Sequence, residues 1–204
     1  DQRDAPKVQG IIIGVVNNKI KAAPVKQFVQ LCRRPVLKED FIVGVLFLNS
    51  YNRDVLSKML DDNHLIATHL FTAQPHIFVS KTNPLAKKEI VHLSDLEDFP
   101  YLSYDQGTHN SFYFSEEILS QEHHKKSIVV SDRATLFNLL IGLDGYTIAT
   151  GILNSNLNGN NIVSIPLDIE DPIELVYIKH EKTALSKMGE KFIEYLLEEV
   201  KFDK

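Results

Sequence analysis

The segment from residue 128 to residue 151, IVVSDRATLFNLLIGLDGYTIATG, constrains the fold more than any other part of the chain. It opens with a short apolar run, residues 128–130, that is typical of a buried strand. Ser131 and Asp132 follow, and their side-chain oxygens can accept the free backbone N–H groups of a helix that begins at Arg133. Leucines then repeat at helical spacing, at Leu136, Leu139, Leu140 and Leu143.

The residues after this helix complete a β-α-β unit. Gly142 and Gly145 allow the chain to turn, and residues 146–149 form a second β-prone run. Such a unit belongs to a parallel sheet and places a helix cap at the edge of a cleft. The segment therefore predicts a place to bind a small molecule.

The composition is that of a soluble globular protein. Hydrophobic residues make up 44% and charged residues 24% of 204 residues, enough for one domain with a core or for two small lobes. The net charge of -5 argues against nucleic-acid binding by this chain, because such proteins normally present a basic face. The densest basic cluster, Arg33, Arg34 and Lys38, is typical of a solvated surface.

The cysteine and hydropathy patterns favour a cytoplasmic protein. Cys32 is the only cysteine, so no intrachain disulfide is expected, and its apolar neighbours indicate a core thiol. No stretch reaches the roughly 18 apolar residues that a membrane crossing needs, and no secretory signal is visible. Because the sequence begins without methionine, we expect it to be part of a longer protein.

Strand-like and helix-like segments alternate and predict an α/β fold with mostly parallel sheets. The predicted strands are 8–16, 41–48, 76–80, 101–104, 128–130, 146–149, 162–165 and 174–179. The predicted helices are 22–33, a helix after Asn49 and Ser50 that carries Val55, Leu56, Met59 and Leu60, a short helix opened by a capping box at 94–97, 112–123, the helix from Arg133, and a C-terminal helix carrying Met188, Phe192, Tyr195, Leu196 and Val200.

A series of motifs runs through residues 75–104. In order, these are an apolar strand at 77–79, Asn83-Pro84-Leu85, Lys87-Lys88, Leu93-Ser94-Asp95-Leu96 and Pro100-Tyr101-Leu102. The order and spacing of this series resemble the effector-binding domain of LysR-type transcriptional regulators. The 128–151 unit and the tail LVYIKHEKTALSKMGEKFIEYLLEEV resemble the family's next β-α-β element and its closing strand and helix, so the resemblance covers residues 40–204.

The resemblance implies a type 2 periplasmic-binding-protein-like fold of two Rossmann-like lobes. Crossing strands near 76–80 and 174–179 would join lobe I (8–75 plus 180–204) to lobe II (76–179), with the ligand between them. The family also implies head-to-tail homodimers, and tetramers of the full-length protein. The first 40 residues fit less well, so lobe I is predicted to be shortened. The family's N-terminal DNA-binding domain is absent from this sequence, so the chain alone should not bind DNA specifically.

Candidate ligand-binding residues lie where predicted strands end and helices begin. They are Asn17, Asn18, Asn49, Ser50, Asp105, Gln106, Gly107, Thr108, Asn110, Ser111, Ser131 and Asp132. Helix N-termini present free N–H groups and partial positive charge, which suits a polar or anionic ligand. In the family the corresponding loops hold the effector, and Thr108 is the residue that the resemblance carries over best.

Each candidate also has a purely structural interpretation. Ser111, Ser131 and Asp132 can simply cap their own helices, and Asn49 and Ser50 are open between capping and ligand contact. Gly107 can serve a turn that needs positive φ. Because acidic groups at 105 and 132 would oppose an anion unless they are paired, the sign of the ligand's charge stays open.

The sequence shows no motif for catalysis, metal or cofactor binding. The adjacent pair His123-His124 would diverge on a helix, and the other histidines lack zinc-ligand spacing. G-x-S-x-G, Walker and G-x-G-x-x-G patterns are absent from the sequence. The leading hypothesis is a non-enzymatic, effector-sensing regulatory domain of a LysR-type regulator. The alternatives are an extracytoplasmic binding protein of a transport system, which shares the architecture, and an enzyme on the same scaffold, for which no catalytic group can be assembled.

Overall fold

The computed structural model describes residues 11–16, 19–24, 43–105, 119, 124–153 and 159–202. Within these ranges the strands form two five-stranded sheets. The first sheet has the order β2-β1-β3-β10-β4. Its strands are β1 (Ile11–Val16), β2 (Lys19–Pro24), β3 (Val43–Leu48), β4 (Leu65–Ala73) and β10 (Ile173–His180).

The second sheet has the order β7-β6-β8-β5-β9. Its strands are β5 (His76–Ser80), β6 (Tyr101–Tyr104), β7 (Ser127–Val130), β8 (Tyr146–Ala149) and β9 (Ile162–Pro166). The helices are α1 (Arg53–Asp61), α2 (Arg133–Gly142) and α3 (Lys187–Phe202), with short 3₁₀ helices at Pro84–Lys87 and Leu93–Leu96. None of these helices is long and apolar enough to cross a membrane.

The β-α-β unit is confirmed. Strands β7 and β8 both lie parallel to β6, which separates them in the sheet, and α2 connects them. The prediction of mostly parallel sheets is wrong, because every other described strand pair is antiparallel. Alternation of strands and helices does not fix strand direction, and a short link such as the one between β1 and β2 joins neighbours only in the antiparallel sense.

Two predicted elements near the start of the chain need correction. A helix was expected to begin near residue 22, but residues 22–24 belong to strand β2. Ala22 pairs with Ile13 and Ala23 with Ile12. Residues 25–33, the rest of that helix, lie outside the described residues, as does the predicted helix 112–123 apart from residue 119. Strand β4 was not predicted, because most of its side chains are exposed or half-buried and show no alternation.

The capping roles near two helix starts also differ from the prediction. The N-cap of α1 is Asn52, not Asn49 or Ser50. At 93–96 the cap is His92, whose N–H donates to Asp95 Oδ2 at 3.0 Å, so the box begins two residues earlier than expected. In the C-terminal helix Met188 and Tyr195 are exposed, whereas Ile193 is buried with Val43 against the first sheet.

The chain passes between the sheets twice, through residues 74–75 and 167–172. The sequence-based boundary placed residues 173–179 with the second lobe, yet β10 pairs with β3 and β4 of the first sheet. One buried cluster joins the two sheets, because it holds Ile77 and Ile148 of the second sheet together with Ile173 of the first. The opposite face of the second sheet packs against α2 through Phe78, Leu136 and Leu140, among others.

Candidate functional site

A pocket of about 210 Å³ lies between the two sheets. The first sheet contributes Phe47 of β3 and Ile173 of β10. The second sheet and α2 contribute Phe78, Tyr104, Arg133, Leu136, Phe137, Thr147, Ile148, Ala149 and Thr150. Ligand sites occur preferentially where two structural units meet, so this pocket is the candidate site.

Strand and helix periodicity bring these side chains together. Phe78 and Thr147 are direct partners in the β5–β8 pairing, so they share one face of the second sheet. Arg133, Leu136 and Phe137 are spaced three and four residues apart and therefore lie on one face of α2. The same helix that supplies this face packs its buried Leu136 and Leu140 against the sheet, which fixes the helix position relative to Thr147.

Arg133 supplies positive charge to the pocket. Its guanidinium lies 4.9 Å from the centre of the Phe137 ring, within the range of a cation–π contact. Arginine stays protonated at physiological pH, so in the described lining Arg133 is the one side chain that carries a full charge at neutrality. The ring contact holds this charge at the pocket wall.

Asp132 caps the helix that carries Arg133. Its carboxylate accepts the Thr135 N–H at 2.9 Å and the Thr135 hydroxyl at 2.7 Å. These two bonds, with the backbone bond the larger cause, hold the pKa of Asp132 below its ordinary value. Ser131 also hydrogen-bonds this carboxylate. The capping interpretation of Asp132 is confirmed, and neither residue is part of the described pocket lining.

Asn49 organises the turn after β3. Its Oδ1 accepts the backbone N–H groups of Tyr51 and Asn52 at 3.1 and 3.0 Å, while Asn52 Oδ1 accepts the Asn49 N–H at 2.9 Å. Asn52, which is buried, also donates from Nδ2 to the carbonyl of Phe47 at 3.1 Å. The Ser50 N–H donates to Asp171 Oδ1 at 3.0 Å. Asn49 and Ser50 therefore stabilise the backbone of the turn that follows Phe47.

The remaining predicted site residues fall into two groups. Asp105 is exposed, and its N–H donates to the carbonyl of Val130 at 2.8 Å. The others lie outside the described residues, namely Asn17, Asn18, Gln106, Gly107, Thr108, Asn110 and Ser111. Their role in ligand binding stays a prediction.

Sequence reasoning missed the residues that form the described pocket. Tyr104 and Arg133 each lie one position from a predicted residue, Asp105 and Asp132, and Phe47 and Phe78 were identified only as members of predicted strands. The sequence spacing of Arg133 and Phe137 could have identified them, because a charged side chain and an aromatic ring four residues apart lie on the same face of a helix. Among the described residues no cluster of three His, Cys, Asp or Glu side chains could hold a metal ion.

A second cavity of about 350 Å³ lies beside the 93–96 helix, away from the first sheet. Its lining includes Glu97, Lys125, His124 and Tyr146. Lys125 pairs with Glu97, and His124 Nδ1 lies 3.0 Å from the Tyr146 hydroxyl. Burial raises the pKa of Tyr146 to about 12, so this phenol stays protonated at neutral pH.

Comparison with known proteins agrees with this architecture. The family model of the LysR substrate binding domain matches residues 53–201. The PA01 protein of Pseudomonas aeruginosa, assigned to the LysR family of transcriptional regulators, superposes with a TM-score of 0.56 at 15% identity, over 88% of this chain and 59% of that one. The oxidized form of OxyR gives 0.56 at 15% identity, over 88% of this chain and 79% of that one.

HinK, a LysR family regulator from Pseudomonas aeruginosa, gives a TM-score of 0.51 at 15% identity, over 76% of this chain and 52% of that one. This chain thus spans between about half and four fifths of the structures it resembles. No curated protein matches it in sequence. The predicted fold class, an α/β fold of the type 2 periplasmic-binding-protein-like kind, is confirmed by these matches. The chain belongs to the family of LysR substrate-binding domains.

Proposed function

We propose that this chain is the effector-sensing part of a cytoplasmic LysR-type transcriptional regulator and that it binds a small metabolite in the pocket between its sheets. The observation that carries this proposal is the mixed origin of the pocket walls. Phe47 and Ile173 come from the first sheet, and Phe78 and Thr147 come from the second. A ligand held by both sheets is sensitive to the angle between them.

The proposed mechanism is a shift between two interlobe angles. We assign the lobes to residues 8–75 plus 180–204 and to residues 76–179, except that strand β10 belongs with the first lobe because it lies in the first sheet. The two connections between the sheets lie side by side, because the Leu167 N–H donates to the carbonyl of Pro75 at 2.9 Å. Adjacent connections form a natural hinge, and a ligand that contacts both lobes favours the closed angle.

The signal would reach DNA through the oligomer. In this proposal two copies pair head to tail, and full-length chains form dimers or tetramers that carry N-terminal DNA-binding domains. The effector changes the population of one lobe arrangement, and the dimer transmits that change to the DNA-binding domains.

The regulatory role is favoured over a transport-type binding protein, because the family model that matches is that of LysR regulators. A role in binding without catalysis is favoured by the chemistry of the pocket. Among the usual general acids and bases, its described lining contains only the phenol of Tyr104.

The test is a screen of amino acids, organic acids and thiol metabolites against the chain by thermal shift, followed by isothermal titration. We expect a ligand whose affinity falls in both Phe47→Ala and Thr147→Val, one variant from each sheet, and is unchanged in Ser94→Ala at the second cavity. Small-angle scattering should show a smaller radius of gyration with ligand. A folded chain that binds no metabolite, or a ligand that only Ser94→Ala affects, would overturn the proposal.

A further inference from the structure

The walls of the pocket between the sheets favour an apolar ligand body. Four aromatic rings, those of Phe47, Phe78, Tyr104 and Phe137, line it together with aliphatic side chains. Aromatic walls bury large apolar areas of a bound molecule and stack well on flat groups. At about 210 Å³ the pocket is smaller than the sites of roughly 300 Å³ and above that take drug-sized ligands.

The charge of the pocket favours one negative group on that ligand. Arg133 is the charged member of the described lining, and its guanidinium is oriented by the Phe137 ring at 4.9 Å. The planar guanidinium matches a carboxylate with two parallel hydrogen bonds, and a charge-assisted bond is strongest where water is excluded. The neighbouring Asp132 carboxylate faces Thr135, which donates two hydrogen bonds to it.

A buried hydroxyl adds a further polar contact. Thr147 is 6% exposed and lines the pocket. A hydroxyl in the pocket wall can donate a hydrogen bond, so Thr147 supplies a donor suited to a ligand oxygen.

We infer that the pocket takes a small monocarboxylic acid with an apolar, flat or branched body, with the carboxylate on Arg133 and Thr147 and the body among the aromatic rings. This inference rests on the proposed function, since it names the chemical class of the effector. A free amino acid fits less well, because the described lining offers no carboxylate for its ammonium group. A dicarboxylate fits less well, because the described lining offers no second cationic side chain for its other carboxylate.

The experiment compares matched probes by isothermal titration on the intact chain. The acids are benzoate and 3-methylbutanoate, the neutral controls are benzamide and 3-methylbutanamide, and the other classes are succinate, leucine and inorganic phosphate. We expect at least one of the two acids to bind at least tenfold more tightly than its amide. Whichever acid binds more tightly shows whether the pocket prefers an aromatic or a branched aliphatic ligand body.

Substitutions test whether Arg133 is the residue that binds the carboxylate of the acid. Arg133→Gln should weaken the acid at least tenfold and bring it close to its amide, while Arg133→Lys should restore part of the difference. Thr147→Val should weaken both the acid and its amide, because both present an oxygen to the hydroxyl, and it should leave the acid tighter than the amide. Ile141→Ala, on the exposed side of α2, should change neither and controls for damage to the helix.

The outcomes separate this inference from the function it rests on. If leucine, succinate or phosphate binds and Phe47→Ala weakens it, the site senses a ligand and the monocarboxylate class is wrong. If an amide binds as tightly as its acid, the role of Arg133 is wrong. If neither acid binds, the class is wrong, and the metabolite screen decides the proposed function separately.

Discussion

Asp132 is the residue whose two interpretations the structure separates most clearly. Its carboxylate accepts two hydrogen bonds from Thr135 and so caps α2. The sequence allowed a cap or a ligand contact, because both need an oxygen at a helix start. Only the packing of α2 decides that the next side chain, Arg133, lines the pocket.

Replacing Asp132 should lower stability in a pH-dependent way. The pKa of Asp132 is lowered in the folded state by the Thr135 bonds, so its ionised form contributes stability above the unfolded value of about 3.9. That contribution is lost as pH falls through the folded pKa. Asp132→Ala should melt at a lower temperature than the wild type at neutral pH. Asp132→Asn, which keeps an acceptor oxygen, should lack this part of the acid destabilisation. Equal melting temperatures for wild type and Asp132→Ala would contradict the capping role.

Gly151 and Gly142 form a matched pair that tests backbone strain. Gly151 has φ +84, and a Cβ built there would lie 2.5 Å from His76 Nδ1. Gly142, expected from the sequence to allow a turn, is instead the last residue of α2, and a Cβ there meets nothing within 4 Å. Gly151→Ala should therefore destabilise by about 1–3 kcal/mol, and Gly142→Ala should stabilise by up to about 1 kcal/mol. Urea unfolding measures both, and equal effects of the two substitutions would contradict this account.

At the scale of elements, the sequence predicted those with a regular apolar pattern. Strands β5 to β9 and helix α2 have apolar runs or helical leucine spacing, which are the strongest local signals. It missed β4, an edge strand whose side chains are exposed or half-buried between two buried ends, and misassigned Ala22 to Pro24, which pair with β1. Residues with high helix propensity adopt a strand where a hairpin partner is available, since tertiary context overrides propensity. The pocket residues were missed because a pocket wall is formed by contacts between elements, and local sequence patterns do not contain that information.

Helix α2 should depend on its inner face. Leu140 is fully buried under the second sheet, whereas its neighbour Ile141 is 43% exposed. Leu140→Ala should destabilise by about 2–5 kcal/mol through lost burial and a cavity. Ile141→Ala, on the outer face, should cost far less. Chemical denaturation of both variants is the measurement, and a comparable loss for Ile141→Ala would mean that the outer face of α2 is packed in solution.

At the scale of the whole molecule, the second connection determines how firmly the sheets are held together. Residues 167–172 are fixed to the second sheet, because the Asp168 N–H donates to Val91 and the Val91 N–H donates to Pro166. Farther along, Asp171 accepts the Ser50 N–H at 3.0 Å, next to the turn that carries Phe47. The connection is thus attached to the second sheet at one end and to the loop after β3 at the other.

Removing the Asp171 bond should loosen the loop after β3 without unfolding the protein. Asp171→Ala leaves the exposed Ser50 N–H to water, so we expect faster hydrogen exchange at Ser50 and a change of no more than about 1.5 kcal/mol in the free energy of unfolding. Glu170→Ala, an exposed carboxylate one residue away, should change neither quantity. If the bond also restrains the angle between the sheets, ligand-free Asp171→Ala should show a larger radius of gyration than Glu170→Ala. Unchanged exchange at Ser50 would mean that the bond does not persist in solution.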